Sequence, residues 1–151
     1  MDLDGLRRDL AGRRLLFLDT MVFSYHLAAH PDYVPATTLI LGLVESGDLA
    51  ALTTTLTLAE LLTRPAQERN LQAMLDYRLY LTHFPNLDIV SLDTALAEEA
   101  ALVRAATRLK MPDAIQLAAA RLHGADAVVT NDRAWLGKLA SPQVMVLEDY
   151  R

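Results

Sequence analysis

The sequence predicts a single α/β domain built around a parallel sheet. Its 151 residues fit one domain, and an apolar fraction of 52% is ample for one core. Short apolar runs alternate with longer helical segments, which is typical of parallel strands joined by right-handed crossovers. The runs are apolar on both faces, as expected when helices cover both sides of a sheet. We therefore expect three layers, with the sheet in the middle.

Five short runs have the β-branched or alternating apolar character of strands. They are Leu15–Leu18, Leu49–Thr53, Asp88–Leu92, Ala127–Thr130 and Val144–Leu147. Seven helical segments lie between them: Val22–Ala29, Ala36–Glu45, Leu56–Thr63, Ala66–Thr82, Asp93–Leu109, Pro112–His123 and Arg133–Leu139. Pro65 is expected to end the third helix, and Asp93 is expected to cap the fifth. Residues 1–14 are predicted to be an N-terminal extension with one helical turn, and residues 15–151 the domain proper.

The composition excludes several kinds of site. The chain has no cysteine, which removes disulfides, thiolate zinc sites, iron–sulfur clusters and thiol nucleophiles. Neither a Gly-x-Gly-x-x-Gly motif nor a P-loop is present. The net charge of −5 is unlike that of a dedicated nucleic-acid coat. An enzyme that contacts a phosphodiester through a metal ion does not need a basic surface overall.

No membrane or secretory segment is predicted. The apolar runs are shorter than the roughly 18 residues that a membrane span needs. The chain begins with the acidic stretch Met1-Asp2-Leu3-Asp4, and no apolar signal region follows it. We therefore expect a cytoplasmic protein without membrane contact.

Four acidic residues could meet at one edge of the sheet. Asp19 follows the first predicted strand and Asp132 follows the fourth, while Asp113 begins the helix before the fourth strand. Glu60 lies on the helix after the second strand. Ligands of open α/β sheets bind beyond the carboxyl ends of the strands. Clustered carboxylates repel each other unless a cation holds them, and Mg²⁺ and Mn²⁺ prefer such oxygen ligands.

Each acid also has a purely structural interpretation. Asp19 and Asp132 could cap the helices that follow them, and Asp113 could stabilise its helix dipole. Glu60 interrupts an apolar run, where a buried charge needs a partner. A surface pair with Arg64 would contribute only about 0.3–0.5 kcal/mol. One shared metal site explains the four acids better than four independent roles.

Several short motifs together resemble those of a known family. They are Leu18-Asp19-Thr20, Glu60, Pro112-Asp113-Ala114 followed by Ala118-Ala119-Ala120, and Gly124-Ala125-Asp126 leading to Thr130-Asn131-Asp132-Arg133. The last two blocks are the more specific. In these motifs the chain, from about Leu15 to Leu147, resembles the PIN domain, the metal-dependent ribonuclease fold of VapC-type toxins.

The resemblance implies a five-stranded parallel sheet of order 3-2-1-4-5. It implies a Mg²⁺- or Mn²⁺-dependent endoribonuclease with an RNA substrate, a cognate antitoxin and a homodimeric state. The residues implied to bind the metal and act in catalysis are Asp19, Glu60, Asp113 and Asp132, supported by Thr20, Thr130 and Asn131.

Two departures from the family pattern keep other functions open. Many members carry a further Asp before the aromatic residue that follows the last motif, and here Ala134 precedes Trp135. The fourth ligand then depends on Asp132 and Asn131, and a catalytically silent module that binds RNA or protein is an alternative. The extension is also unusual, since family toxins commonly begin almost at the first strand.

A phosphoryl-accepting domain is a further alternative. Asp19, Asp93 and Thr130 each follow a predicted strand, as such domains require. A dehalogenase-type motif, however, needs a second Asp where Met21 stands. A receiver domain needs a Lys where Glu148-Asp149 stands.

Overall fold

A single parallel sheet organises the chain. The computed structural model describes all 151 residues. Its strands are β1 (Leu15–Leu18), β2 (Ala50–Thr54), β3 (Leu87–Val90), β4 (Ala127–Thr130) and β5 (Gln143–Val146). All neighbouring strands are parallel, and their order is β3-β2-β1-β4-β5. The predicted fold class and strand order are confirmed, and the predicted strand bounds differ from these by at most two residues.

Seven α-helices surround the sheet. They are α1 (Leu3–Leu10), α2 (Thr20–Leu27), α3 (Val34–Ser46), α4 (Thr55–Gln67), α5 (Leu71–Thr82), α6 (Thr94–Thr107) and α7 (Met111–Leu122). Single 3₁₀ turns follow β4 at Arg133–Trp135 and β5 at Leu147–Tyr150. None of the helices combines the length and the apolar character that crossing a bilayer requires.

The side chains of β1 divide the core into two layers. Leu16 and Leu18 pack into one buried cluster, which also contains residues of α1, α2 and α3. Phe17 points to the opposite face and packs with residues of α6 and α7. Successive side chains of a strand alternate between faces, so a short, wholly apolar strand serves both layers. The three-layer arrangement places the carboxyl edge of the sheet between two sets of helices.

The break between α4 and α5 lies later than the sequence predicts. Pro65 was expected to end the helix, but α4 continues through it to Gln67. Pro65 lies near the end of α4, where its missing N–H removes one intrahelical hydrogen bond. The chain turns at Arg69, whose φ is +53°, and the Asn70 side chain then caps α5 by accepting from the Ala73 N–H at 3.0 Å.

The other differences lie near the two ends of the chain. The helix predicted at Arg133–Leu139 is only a 3₁₀ turn, which stops before Gly137 at a positive φ of +67°. The N-terminal segment forms a complete helix of 8 residues rather than one turn. Leu6 and Leu10 of this helix lie in the core layer shared with α3. The division between residues 1–14 and residues 15–151 stays a prediction.

Candidate metal centre

Asp19 lies at the centre of the carboxyl edge of the sheet. β1 pairs with β4 so that Leu18 lies beside Val129, and this register brings Asp19 next to Thr130. The Thr130 hydroxyl donates to one carboxylate oxygen of Asp19, and the Thr20 N–H donates to the other, both at 2.8 Å. Asp19 therefore caps α2, as its structural interpretation requires, and is also only 8% exposed.

The other three acids surround Asp19. Asp113 lies half-buried in the first turn of α7, and Asp132 caps the 3₁₀ turn after β4 by accepting from the Ala134 N–H at 2.9 Å. Glu60 lies in α4, the helix that follows β2. All four carboxylates line one pocket of about 340 Å³. The structure thus brings together every acid that the sequence singled out.

The site is electrostatically unfavourable without a cation. Burial raises the pKa of Asp19 to about 6, against the hydrogen bonds from Thr130 and Thr20, and the charges of Glu60 and Asp113 raise it further. Burial also raises the pKa of Glu60, opposed by a hydrogen bond from the Thr20 side chain. Burial raises the pKa of Asp113, and the negative charge of a neighbouring carboxylate raises it further. Such shifts are concentrated at functional sites, although structural charge clusters also produce them.

The donor set matches a hard divalent cation in chemistry, while the side chains stand apart. No three Asp, Glu or His side chains are close enough together to hold one ion. Asp19 is fixed by its hydrogen bonds, whereas Glu60 and Asp132 are exposed at the rim of the pocket. Carboxylates repel each other in the absence of a cation, which favours such separation. An all-oxygen set of this kind suits Mg²⁺ or Mn²⁺.

Glu60 differs from its sequence-based description. It was expected to be a buried charge within an apolar run, but its residue is exposed at the rim of the pocket. The i+4 pair with Arg64 is also absent, since Arg64 pairs with Glu68 at 3.0 Å. The run is amphipathic in the structure, with Leu61 buried and Glu60 facing solvent. Glu60 therefore needs no buried partner.

Asn131 braces the site from the side of β5. Its amide oxygen accepts from the Glu148 N–H at 2.8 Å, and its amide nitrogen donates to the Tyr25 hydroxyl at 3.1 Å. Both ends of the amide are therefore engaged within the chain. Tyr25 and Asn131 also line the carboxylate pocket. The resemblance implied a supporting role for Asn131, whereas no motif indicated Tyr25.

The predictions from the sequence did not include a buried polar network that lies beneath the pocket. It joins Thr20 to Thr53, Thr54, Thr57 and Gln116. Gln116 interrupts the apolar side of α7 one turn after Asp113, and that pattern was a usable signal. The threonines gave a weaker signal, because threonine is common in strands and at helix starts.

The fold and its acidic edge define a parallel α/β domain with a carboxylate pocket beyond the strand ends. Residues 16–140 match the family model of the PIN domain. This match covers most of the 151 residues, and the chain belongs to the PIN domain family. The resemblance read from the motifs is confirmed. No curated protein shows significant sequence similarity to the chain.

Solved structures of similar fold come from several bacteria. VapBC2 from Rickettsia felis, bound to a DNA fragment from its promoter, matches with a TM-score of 0.67 and 17% identity over 87% of this chain and 98% of that chain. FitAcB from Neisseria gonorrhoeae matches with a TM-score of 0.64 and 20% identity over 88% and 98%. A toxin–antitoxin complex from Klebsiella pneumoniae matches with a TM-score of 0.61 and 19% identity over 86% and 99%. At these identities the likeness shows the shared fold.

Proposed function

We propose that the chain is a Mg²⁺- or Mn²⁺-dependent endoribonuclease. The observation that carries this proposal is the pocket at the carboxyl edge, which Asp19 and the other three acids line. Membership of the PIN domain family supports it, since the resemblance of the sequence motifs implies a metal site at these acids. The substrate would be a cellular RNA, so the protein would act in the cytoplasm.

The chain's own residues divide the work of the site. Asp19, Asp113 and Asp132 would hold the ion, and Glu60 would hold the ion or a water beside it. A bound ion would neutralise charge on the phosphate oxygens and lower the pKa of its water. Thr130 and the Thr20 N–H fix the Asp19 carboxylate, so its orientation is set before the ion arrives. Partial burial raises the pKa of Glu60, the direction that suits a proton acceptor.

The biological role that we propose is the toxin of a VapBC-type pair. The solved structures of similar fold include a toxin–antitoxin complex, which supports a cognate antitoxin for this chain as well. The homodimer that we also propose rests on the family resemblance. A second pocket of about 420 Å³ opens beside the carboxylate pocket, and Thr20 and Glu60 line both pockets. Met21, Leu27 and Tyr77 line it. A partner segment seated there would also reach the acids.

The test is cleavage of a mixed RNA substrate by wild type and Asp19→Asn, with Mg²⁺, Mn²⁺ or EDTA. We expect wild-type cutting that EDTA abolishes, with 5′-phosphate and 3′-hydroxyl ends as the family resemblance implies. Loss of the groups around a metal's ligands typically lowers activity 10–100-fold, so loss of Asp19 itself should cost at least about 100-fold. Asp88→Asn removes the same charge from an exposed position on β3 and should keep full activity. Full activity of Asp19→Asn would refute the assignment.

A catalytically silent binding module is the second candidate. Two observations favour it: no three acidic side chains are within reach of one ion, and Ala134 stands where many family members carry Asp. Such a module would bind RNA equally well with and without divalent ions, and Asp19→Asn would leave that binding unchanged. Filter binding of labelled RNA, with Mn²⁺ and with EDTA, separates the two candidates.

A further inference from the structure

Five polar side chains lie beneath the carboxylate pocket, almost completely removed from solvent. Thr53, Thr54 and Thr57 are 0% exposed, Gln116 is 1% exposed and Thr20 is 8% exposed. A buried polar group without a hydrogen-bond partner destabilises the fold, so such a group persists where its partners are built in. Here the side chains satisfy one another across four separate elements of the fold, β2, α2, α4 and α7.

Three members of this network lie next to three of the acids. Each network residue either adjoins its acid in the sequence or lies one helical turn from it on the same helix. The pairs are Thr20 with Asp19, Thr57 with Glu60, and Gln116 with Asp113. The network therefore connects the starts of α2, α4 and α7 directly under the groups that they carry.

The hydrogen bonds of the network have a direction. The Thr57 hydroxyl accepts from the Thr53 hydroxyl and from the Gln116 amide nitrogen, both at 2.8 Å. A hydroxyl has two acceptor sites and one proton, so both acceptor sites of Thr57 are filled. Its proton is left for the Thr20 hydroxyl, 3.0 Å away. Thr20 then has its own proton to donate, and Thr20 and Glu60 line the same carboxylate pocket.

Gln116 holds this direction in place. Its amide oxygen accepts from the Thr54 hydroxyl at 2.5 Å, while the same hydroxyl accepts from the Leu56 N–H at 3.2 Å as the cap of α4. The oxygen end of the amide is thus committed to Thr54, and the nitrogen end faces Thr57 and Thr20. A reversed amide would remove the acceptor of the Thr54 proton and would turn the amide oxygen towards Thr57 and Thr20.

We propose that Thr57 and Gln116 are positioning residues of the candidate metal centre. They orient the Thr20 hydroxyl at the edge of the carboxylate pocket, and they fix the spacing of the helices next to Asp19, Glu60 and Asp113. This inference rests on the proposed function, because the geometry that it describes serves the binding of a metal ion. Partners of this outer kind set the orientation of the ligands and tune the affinity for the metal.

The experiment compares two isosteric substitutions of buried threonines. Thr57→Val removes the central hydroxyl of the network. Thr37→Val makes the same chemical change on α3, where Thr37 is also 0% exposed and bonds only to Val34 and His26. For each variant, the Mn²⁺ dissociation constant is measured by calorimetry and the free energy of unfolding by urea titration in EDTA. A purely structural network would lower stability in both variants and leave the Mn²⁺ affinity unchanged.

We expect Thr57→Val to weaken Mn²⁺ binding about 10–100-fold, as loss of such partners generally does. Thr37→Val should keep the wild-type affinity whatever it loses in stability. Thr57→Ser retains the hydroxyl and should restore the affinity. Gln116→Met removes both the oxygen and the nitrogen of the amide and should also weaken Mn²⁺ binding. This second variant preserves the test if Thr57→Val does not fold. Wild-type affinity in both network variants would overturn the proposal, as would an equal loss in Thr37→Val.

Failure of the proposed function has a different signature. A wild-type protein that neither binds Mn²⁺ nor cleaves RNA would refute the metal centre itself. Crystal structures of metal-free wild type and Thr57→Val then decide the positioning role by the place of the Glu60 carboxylate. A displaced carboxylate in Thr57→Val supports that role. A carboxylate that keeps its wild-type position overturns it.

Discussion

Asp19 and Asp126 are two carboxylates at opposite ends of the same pair of strands, and their environments have opposite effects. Asp126 directly precedes β4 and accepts the N–H groups of Arg14 at 2.5 Å and Leu15 at 2.9 Å. Those backbone hydrogen bonds lower its pKa, and the charge of Arg13 lowers it further. Asp19 follows β1 at the other end, and burial raises its pKa to about 6.

The difference shows where this fold gains and loses stability. At the amino edge of the sheet, free backbone N–H groups and nearby arginines favour a charged carboxylate. At the carboxyl edge, burial and neighbouring acids disfavour it, although two hydrogen bonds hold Asp19 in place. The charged carboxylate of Asp126 therefore stabilises the fold, whereas the charged carboxylate of Asp19 destabilises it. Groups held in this way are concentrated at functional sites.

Neutralising Asp19 provides the largest effect on stability that this comparison predicts. The folded-state pKa lies above the unfolded value of 3.8, so between pH 3.8 and about 6 the folded protein binds more protons. Its free energy of unfolding therefore falls as pH rises through that window. In EDTA at pH 7, Asp19→Asn should be more stable than wild type by about 1–3 kcal/mol. Urea titrations at several pH values measure this.

The control for that prediction is Asp88→Asn, which removes a charge from an exposed position on β3. It should leave both the stability and its pH dependence near those of wild type. At pH 3, where Asp19 is protonated in both states, the gain from Asp19→Asn should disappear. A variant that is less stable than wild type at pH 7 would show that the carboxylate of Asp19 stabilises the fold, and the comparison would fail.

Removing the Asp126 carboxylate should have a smaller effect of opposite sign. Asp126→Ala leaves the Arg14 and Leu15 N–H groups without their acceptor, which should cost about 1–2 kcal/mol because water replaces part of the bond. Because the folded-state pKa of Asp126 is lowered, its stabilising contribution is complete above pH 3.8. That contribution is lost as pH falls through the folded-state pKa. Asp126→Asn keeps an acceptor oxygen and should lose less. Thermal unfolding at pH 7 and at pH 3 compares the three proteins.

Much of the fold could be predicted because its signals are local. β1 and β4 are uninterrupted apolar runs between polar or turn residues, and their predicted bounds match the structure. The end of α4 was misplaced because Pro65 is a strong local signal, while the stop at Arg69 and Asn70 depends on a positive φ and a cap. A proline tolerated near a helix end cannot be distinguished from a breaker by sequence pattern alone.

The acids of the candidate site could be predicted from the sequence, but the buried polar side chains that support them could not. Asp19 and Asp132 follow strands, and the rule for open α/β sheets places such residues at the ligand-binding edge. The exposure of Glu60 depends on how α4 is rotated, which the run of neighbouring leucines conceals. Thr57 and Gln116 lie far apart in sequence, and only the folded arrangement of the chain brings them within hydrogen-bond distance. Long-range polar pairing of this kind has no local pattern.

The most direct test of the central claim is diffraction from crystals soaked in Mn²⁺, with data collected at the manganese absorption edge. The claim is that a divalent cation occupies the pocket of about 340 Å³ and relieves the repulsion among its acids. We expect one or more anomalous peaks within ligation distance of Asp19 and Asp113, with Glu60 or Asp132 turned inward. Crystals of Asp19→Asn should lose the peak beside that residue. Soaked wild-type crystals with no anomalous peak in the pocket would contradict the claim.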